Sequence, residues 1–491
     1  MRRIAVLAGC VITMLIAGCS GGAKAVKVRL DKDKPVNLTV WHYYNGTQKM
    51  AFDNLVSEFN ETVGKDRGIY VESHSKGDVN ELEGAVLSSS NKEVGSDEMP
   101  NIFSAYADTA FILDKAGMLA DLSVYLTPDE QAAYEDSYIG EGKIGIDSGI
   151  KIFPVAKSTE VLMVNKTVWD EFSAAVGASK EDLKTTEGIV RLAMEYYEWT
   201  DEATPDIPND GLAFYGRDAM ANLFIITSMQ KGVELFQVEN QQVTLNVHKD
   251  VFKQIWDTYY IPYVKGYVGA FGRFRSDDVK IGKLVAYTGS IASAGYFPDQ
   301  VESGGTVTPI ECLVQSPPIA ADGEPFIIQQ GAGMVVTKKS AEEEYASVEF
   351  LKWFTELENN IRYGCTSGYL PVKKSDDKKD VLDSAIKKHG LTIPQKEYDT
   401  LLTAYDMVDN NTLYTTKAFE GSTKARKILE YNLSDKAKAD REQVEIQLLE
   451  GQTLDDAVSA FISDEAFDKW FTNIERELQN SITTGQAAAN K

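Results

Sequence analysis

The sequence predicts an α/β protein in which short buried strands alternate with amphipathic helices. Residues 36–40 alternate apolar and polar side chains, as a strand with one buried face does. Apolar residues at helical spacing follow, at Phe52, Leu55, Val56, Phe59 and Val63. Further strand candidates lie at residues 69–71 and 100–103, with a helical pattern at 82–87 between them. We therefore expect a largely parallel sheet whose strand ends carry the loops of a ligand site.

The same organisation continues along the chain. Strand candidates lie at residues 152–155, 161–164, 285–288 and 333–336, and residues 345–357 are predicted to form an amphipathic helix. The chain beyond Lys373 is predicted to be mainly helical and charged. A chain of 491 residues with 43% hydrophobic composition is long enough for two or more domains with their own cores.

The amino-terminal segment predicts export. Arg2 and Arg3 precede an apolar stretch at residues 4–16, which is too short to span a bilayer. The stretch ends in Ile-Ala-Gly-Cys-Ser at residues 16–20, which resembles the lipobox of bacterial lipoproteins. Residues 1–18 are then a signal peptide, Cys19 is the lipidated residue and residues 19–35 are a flexible tether. The alternative is an ordinary signal peptide with a chance cysteine.

Charge and residue types exclude several classes of function. The formal net charge of −24 would repel nucleic acid and anionic lipid headgroups, so neither is expected as a partner. The sequence has no CxxC, HExxH or GxSxG motif, so we expect no metal, no cofactor and no enzymatic activity. Cys312 and Cys365 form either a disulfide or two separate thiols.

Short motifs spread over the chain resemble the family 1 extracellular solute-binding proteins, of the maltose-binding and glycerol phosphate-binding kind. The most specific are Gln-Gly-Ala-Gly-Met at residues 330–334, Glu-Phe-Leu-Lys-Trp-Phe-Thr at 349–355 and Ser-Gly-Tyr-Leu-Pro-Val at 367–372. The resemblance implies two α/β lobes joined by a hinge, with the ligand in the cleft between them. The approximate division is 36–151 with 280–338 for lobe 1, and 152–279 with 339–491 for lobe 2.

Matching the motifs with the glycerol phosphate-binding branch implies a set of ligand-binding residues. They are Tyr43, Tyr44, Asp108, Ser158, Ser290, Gly331, Gly333, Tyr369 and Arg426. In this set Asp108 would hold the ligand's hydroxyl groups and Arg426 its phosphate, because a guanidinium can hold anion oxygens bidentately. The branch has a tryptophan pair where this chain has residues 215–222. Arg217 and Asn222 there either extend an anion site, or Arg217 pairs locally with Asp218.

Structural roles remain open for each of these residues. The tyrosines are equally consistent with core or hinge packing, and the glycines with turns. Asp108 and the two serines also fit as helix caps, and Arg426 fits as an exposed salt-bridge partner. His42 follows the first strand and either donates to ligand or braces the loop; we favour bracing.

The resemblance implies a lipid-anchored receptor, exported and held at the outer face of the cell membrane or on the periplasmic side. It would act as a monomer that captures a carbohydrate or glycerol phosphate type solute and delivers it to the permease subunits of an ABC importer. Two alternatives are a secreted carbohydrate-active hydrolase and a solute sensor for a membrane kinase. The hydrolase requires two carboxylates that face each other across the cleft.

Overall fold

The computed structural model describes residues 25–144, 149–239, 242–303 and 305–489. The predicted signal peptide and Cys19 lie outside the described residues. Among the helices of the described ranges, none combines the length and the apolar character that crossing a bilayer requires.

The strands of the described ranges are short. They are β1 (Val36–His42), β2 (Ile69–Ser75), β3 (Ile102–Ala105), β4 (Ile152–Phe153), β5 (Glu160–Asn165), β6 (Tyr215–Arg217), β7 (Phe236–Glu239), β8 (Gln242–Leu245), β9 (Ala286–Ser290), β10 (Gln300–Ser303), β11 (Thr306–Pro309), β12 (Cys312–Gln315), β13 (Phe326–Ile328), β14 (Gly333–Val336) and β15 (Thr412–Tyr414). The seven strands predicted from the sequence lie close to their predicted positions, as β1 to β5, β9 and β14.

Helices pack around the strands and make up most of the chain after residue 341. They are α1 (Gly46–Glu61), α2 (Val63–Arg67), α3 (Val79–Ser90), α4 (Ala107–Lys115), α5 (Pro128–Ala132), α6 (Asp136–Glu141), α7 (Lys166–Val176), α8 (Thr186–Glu202), α9 (Met220–Gln230), α10 (Lys249–Ile255), α11 (Ile261–Lys265), α12 (Arg275–Lys280), α13 (Ala341–Phe354), α14 (Leu357–Ser367), α15 (Lys378–His389), α16 (Gln395–Asn410), α17 (Ser422–Leu449), α18 (Leu454–Val458) and α19 (Asp464–Ala489).

Lobe 1 is built on a five-stranded sheet with the order β2-β1-β3-β14-β4. The predicted helical face of α1 packs into its core, where Phe52, Leu55, Val56 and Phe59 are buried. The pairs β1–β2 and β1–β3 are parallel, as expected, but β14 runs antiparallel to both β3 and β4. The prediction of a largely parallel sheet therefore holds for the first three strands only, because β14 and β4 are contributed by segments that pass between the lobes.

Lobe 2 is built on a four-stranded sheet with the order β12-β5-β9-β6, in which only β6–β9 is parallel. Its larger core joins α7 to α11 with the carboxyl-terminal α17 and α19, through buried residues such as Trp256, Leu429 and Trp470. The two separate α/β sheets confirm the two-lobed fold class.

The approximate lobe boundaries differ from the observed structure in three places. The predicted lobe 2 segment 152–279 includes β4, which pairs with β14 in the sheet of lobe 1. Residues 280–338 were assigned to lobe 1, yet β9 and β12 pair within the sheet of lobe 2. Residues 339–491 were assigned to lobe 2, yet α13 packs its buried Phe350 and Phe354 into the core of lobe 1. Each of these elements buries residues against a core, but its local pattern does not specify which lobe it joins.

The segment expected to be a flexible tether is docked on lobe 1 over its described part. The backbone N–H of Val26 donates to the carbonyl of Val124 over 2.8 Å, and Leu30 packs against the core of lobe 1. The backbone of Asp31 also passes so close to Gly68 that a Cβ on that glycine would lie 2.5 Å from its carbonyl oxygen. Residues 25–35 are therefore part of the lobe surface rather than a free linker.

Three chain segments cross between the lobes and hydrogen-bond to one another. Lys157, after β4, exchanges two backbone hydrogen bonds with Leu370, of 3.2 and 2.7 Å. Ser158 exchanges two with Gln330, of 3.0 and 2.9 Å. Gly331 follows with a φ of +92°, a conformation that side-chain-bearing residues rarely adopt. This narrow ladder joins the two lobes at one edge of the cleft.

Candidate functional site

A cavity of about 430 Å³ lies between the lobes, next to the ladder of crossing segments. We call it the first chamber. Seven of the nine predicted ligand residues line it: Tyr43, Asp108, Ser158, Ser290, Gly331, Tyr369 and Arg426. Lobe 1 contributes the loop after β1 and the start of α4, and lobe 2 contributes the end of β9 and the first turns of α17. A larger hollow of about 1080 Å³ lies under residues 25–33 on lobe 1, away from this cleft.

Tyr44 and Gly333 are not part of the chamber lining. Tyr44 is only 2% exposed and packs against Phe52 and Tyr363 in the core of lobe 1. Gly333 lies inside β14, where a Cβ would be 2.3 Å from Cγ2 of Ile152. Its lack of a side chain is therefore required by strand packing and not by the approach of a ligand, so these two positions are corrections to the predicted set.

Aromatic side chains form one wall of the first chamber. Tyr43 and Tyr369 point their hydroxyl groups at each other, 3.5 Å apart, and Tyr106 lies beside them. Burial raises the pKa of both Tyr43 and Tyr369 above the ordinary value, so these hydroxyls stay protonated and can donate hydrogen bonds. Such a wall offers ring faces together with donors, which suits a hydroxyl-bearing solute.

Asp108 lies in the first turn of α4 and not at its N-cap, which is Tyr106. Its carboxylate accepts a hydrogen bond from the hydroxyl of Ser422, across the cleft in lobe 2. Burial raises the pKa of Asp108, while Ser422 and Arg426 act in the opposite direction. The carboxylate is therefore positioned to accept further hydrogen bonds inside the cleft, and the N-cap interpretation does not apply.

Arg426 faces the first chamber from α17, one turn after Ser422. It makes no ion pair with any described carboxylate, and its Nη2 donates to Oδ1 of Asn222 over 2.6 Å. The amide of Asn222 in turn donates to Glu160 over 2.8 Å, and Glu160 also pairs with Arg217. The salt-bridge interpretation of Arg426 is thus not supported among the described residues, because a neutral amide holds the guanidinium.

Arg217 does not extend the anion site. Its guanidinium pairs with Glu160 in the interior of lobe 2, where both side chains are almost fully buried. Asp218 pairs with Arg275 instead of Arg217, and its Oδ1 lies 3.4 Å from Nε of Arg275. Both roles considered for Arg217 are therefore wrong, and Asn222 acts by orienting Arg426.

The hydroxyl groups of Ser158 and Ser290 meet 2.9 Å apart at the floor of the chamber. Ser290 is also the N-cap of the short 3-10 helix Ile291–Tyr296, as its hydroxyl accepts from the backbone of Ala292. Ser158 caps no helix and comes from a crossing segment. The two hydroxyl groups therefore join a crossing segment to the end of β9.

A buried ion pair between Lys157 and Glu141 lies next to the chamber residues Ser158 and Gly331. The ammonium of Lys157 pairs with Glu141 and donates to the carbonyl of Gly331 over 2.7 Å. Glu141 also accepts from the amide of Gln329 over 2.6 Å. Glu141 and Gln329 both line the chamber, so this network joins α6 of lobe 1 to a crossing segment.

Two contacts span the open side of the cleft. One is the Ser422–Asp108 hydrogen bond, and the other is a 2.9 Å ion pair between Lys115 and Glu420. Both join α4 of lobe 1 to the start of α17 or the residues before it. They hold the lobes together at the mouth of the first chamber.

Several lining residues were missed by the sequence prediction. They are Glu83, Tyr106, Glu141, Gln329, Gln330 and Thr423. Tyr106 and the glutamine pair adjoin predicted residues in the chain, so their positions beside Asp108 and Gly331 were an available signal. Glu83 and Glu141 carry no local signal, because solvated helix glutamates look the same in the sequence.

His42 braces the loop, as expected. It is fully buried, its Nδ1 accepts from the backbone of Tyr44 over 3.1 Å, and it does not line the first chamber. Burial lowers the pKa of His42 to about 4, so the ring is neutral at physiological pH.

Cys312 and Cys365 are free thiols, whose pKa values burial raises to about 12. The described residues hold no metal-binding cluster of three or more His, Cys, Asp or Glu side chains.

The sequence profile of a family described as bacterial extracellular solute-binding proteins matches residues 54–385. No protein with a curated description matches the sequence.

Three solved structures illustrate the structural similarity. The cyclic alpha-maltosyl-1,6-maltose binding protein from Arthrobacter globiformis is 18% identical over 89% of this chain and 100% of its own, with a TM-score of 0.63. UgpB from Mycobacterium tuberculosis, in complex with glycerophosphocholine, is 17% identical over 91% and 99%, with a TM-score of 0.64. A substrate-binding protein from Listeria monocytogenes, in complex with cycloalternan, is 16% identical over 91% and 100%, with a TM-score of 0.63.

Proposed function

The chain belongs to the bacterial extracellular solute-binding proteins, and we propose that it captures a carbohydrate or glycerol phosphate type solute in the first chamber for an ABC importer. Delivery is to the permease subunits in the membrane, and the protein acts as an exported monomer anchored through a lipid on Cys19. Binding closes the lobes, and the closed shape is what the permease recognises; the step is a population shift without bond chemistry.

The observation that carries this proposal is the mixed composition of the first chamber. Lobe 1 supplies Tyr43, Tyr369 and the acceptor Asp108, and lobe 2 supplies Arg426 as a positive group without a carboxylate partner among the described residues. A solute that carries both hydroxyl groups and an anionic group can contact both lobes at once. Glycerophosphocholine, the ligand in one structural neighbour, carries both kinds of group, whereas the cyclic maltosyl-maltose named for another carries hydroxyl groups only.

The carboxylates of the first chamber argue against hydrolysis there. Glu83, Asp108 and Glu141 are the acidic residues that line it, and all three belong to lobe 1. A glycosidase would need two carboxyl groups that face each other across the cleft. Among the described residues, no carboxyl group of lobe 2 lines this chamber, so no such pair is present in it. A binding function uses the same residues without that requirement.

A thermal-shift screen against neutral sugars, oligosaccharides and phosphorylated polyols tests the proposal. A solute that binds only the folded protein raises its melting temperature. At a solute concentration of 100 times Kd, the free energy of unfolding increases by about 2.7 kcal/mol. We expect at least one of these solutes to do so, with amino acids and short peptides as the matched negative set. Stabilisation by the negative set alone would show that the solute class is wrong.

A further inference from the structure

Four polar side chains form a continuous hydrogen-bonded chain from the interior of lobe 2 to the first chamber. Arg217 pairs with Glu160, and the amide nitrogen of Asn222 donates to Oε1 of the same carboxylate over 2.8 Å. At the cleft end, Nη2 of Arg426 donates to Oδ1 of Asn222 over 2.6 Å. The first three side chains are buried, and Arg426 is exposed. We call these four residues the lobe 2 relay.

The donors and acceptors of the relay permit one orientation of the Asn222 amide. A guanidinium donates hydrogen bonds and never accepts them, and an ionised carboxylate accepts and never donates. Asn222 therefore has to turn Nδ2 toward Glu160 and Oδ1 toward Arg426, as it does. Arg217 balances the charge of the Glu160 carboxylate in the interior, so this acceptor is held in place below the amide.

The carboxylates nearest to Arg426 in the fold are bound to other groups. Glu430 lies four residues after Arg426 in α17, a spacing at which opposite charges can pair, yet it accepts from the backbone N–H of Ala221 over 2.9 Å. Asp108, across the chamber, accepts from the hydroxyl of Ser422. Within the described ranges, the side chain of Arg426 is thus held by a neutral amide, and its positive charge stays available to a ligand.

We propose that Glu160 is a positioning residue that makes the cleft selective for a solute with an anionic group. Its carboxylate fixes the polarity of the Asn222 amide, and the amide oxygen holds Arg426 in the chamber without an ion pair. The assignment rests on the proposed function and names the buried residue that sets its charge selectivity. Glu160 acts through its neighbours, because it is 1% exposed and does not line the first chamber.

Glu160→Gln reverses the polarity of the relay with almost no change in shape. The new amide has one acceptor and one donor, and Arg217 would take the acceptor, because a buried guanidinium cannot turn to water. The remaining donor would then face Asn222, which can satisfy it only by turning Oδ1 away from Arg426. Arg426 is exposed and can bond to water instead, so the mismatch is relieved at the cleft end.

The test is calorimetric titration of wild type and variants with glycerol 3-phosphate, together with crystal structures of the empty proteins. Glu160→Gln and Asn222→Leu should each bind this probe about 10-fold or more weakly than wild type, because Arg426 is no longer preorganised. In both structures the guanidinium of Arg426 should lie away from residue 222. Asn222→Leu removes the acceptor at nearly constant volume and adds no buried charge.

A rescue variant separates amide polarity from general damage to lobe 2. Arg217→Met added to Glu160→Gln removes the group that claims the acceptor of the new amide. That acceptor can then turn to Asn222, which regains its wild-type orientation. The combined variant should therefore bind glycerol 3-phosphate within about threefold of wild type. It also leaves no unbalanced charge in the interior, so together with Asn222→Leu it carries the test if Glu160→Gln alone does not fold.

Asp278→Asn is the matched control. Asp278 is a fully buried carboxylate of lobe 2 that pairs with Arg275 over 2.6 Å and accepts from the backbone of Phe271 and Gly272. Like Glu160→Gln, it removes one negative charge from the interior of lobe 2, a change that by itself favours anion binding. It should bind glycerol 3-phosphate within about twofold of wild type or more tightly. A loss confined to the relay variants is therefore not a general electrostatic effect.

Four results overturn the assignment. They are binding by Glu160→Gln or Asn222→Leu within about twofold of wild type, an Arg426 that stays beside residue 222 in empty Glu160→Gln, a combined variant that is not rescued, and a wild type that binds maltose but not glycerol 3-phosphate. Each of these leaves the proposed function intact. A wild type that binds none of the solutes in the thermal-shift screen overturns the proposed function, and the assignment with it. Cooperative melting of the empty variants shows that they are folded.

Discussion

Arg426 in the cleft donates a 2.6 Å hydrogen bond from Nη2 to Oδ1 of Asn222, a side chain with no exposed surface. Asn222 is itself held by Glu160, so a neutral amide orients the guanidinium, which forms no ion pair with a carboxylate in the described part of the chain. A charged group that a neutral partner holds in place is preorganised for an anionic ligand.

The first prediction concerns the charge of the solute. Arg426 is exposed in this structure, and closure of the lobes around a bound phosphate would bury it. Removing one partner of a charge pair that is buried in this way costs about 2–5 kcal/mol, or roughly 30- to 4,000-fold in affinity. Arg426→Ala should therefore abolish measurable binding of glycerol phosphate while the melting temperature of the empty protein changes little. Calorimetric titration measures the affinity, and Lys427→Ala, an exposed cation one residue further along α17, is the matched control.

Two results would contradict that prediction. If Arg426→Ala binds glycerol phosphate as well as wild type does, the phosphate lies elsewhere in the cleft. If wild type ignores phosphorylated polyols and binds a neutral sugar, Arg426 has no role as a phosphate ligand. Arg217 is no substitute in either case, because Glu160 already neutralises it in the interior of lobe 2.

The second prediction concerns the contacts across the mouth of the cleft. The ion pair between Lys115 and Glu420 and the hydrogen bond between Ser422 and Asp108 join the two lobes. Lys115→Gln combined with Ser422→Ala should open the empty protein and increase its radius of gyration, and a saturating solute should restore compaction. Small-angle scattering measures both states.

The control for this experiment is an ion pair within one helix. Nζ of Lys379 lies 2.6 Å from Oδ2 of Asp383 within α15. Lys379→Gln therefore removes one positive charge, as Lys115→Gln does, at a position outside the cleft. It should scatter as wild type does. An identical radius of gyration for wild type with and without a binding solute would instead indicate a rigid scaffold.

The third prediction concerns acid stability through His42. Its pKa in the folded protein is about 4, below the ordinary value of 6.5. The neutral ring therefore contributes stability that is fully present above pH 6.5 and is lost as the pH falls through 4. Between pH 7.5 and 4.5 this loss amounts to about 2–3 kcal/mol in the free energy of unfolding.

Urea unfolding of wild type and His42→Gln at both pH values measures that contribution. The stability advantage of wild type over the variant should shrink by about the stated amount at pH 4.5. His248→Gln, at an exposed position, should retain the acid sensitivity of wild type. An advantage that is the same at both pH values would show that His42 does not titrate on unfolding.

The fourth prediction concerns the anchor. If Cys19 is lipidated, Cys19→Ser should release the protein from membranes or leave it unprocessed, because the acyl chains supply the hydrophobic attachment. Detergent partitioning and the mass of the amino-terminal peptide measure this. Cys10→Ser lies in the same apolar stretch and should leave partitioning unchanged. Partitioning that survives Cys19→Ser would contradict the lipoprotein interpretation.

The sequence alone determined the elements whose burial pattern is local. The alternation at residues 36–40 predicts β1, and the spacing of Phe52, Leu55, Val56 and Phe59 predicts the buried face of α1. Both patterns arise because side chains repeat every two residues in a strand and about every 3.6 in a helix. Matching the motifs along the chain also identified seven of the residues that line the first chamber.

Only the tertiary structure decided which strands share a sheet and which side of the chain faces the cleft. The pairing of β9 with β5 and of β14 with β3 joins residues far apart in sequence, and no local pattern encodes it. Tyr43 and Tyr44 are adjacent and chemically identical, yet one faces the chamber and the other fills the core. Asn222 and Gln329 likewise acquire their roles from Arg426 and Glu141, which lie more than a hundred residues away in the sequence, since burial and hydrogen bonding depend on the folded neighbourhood.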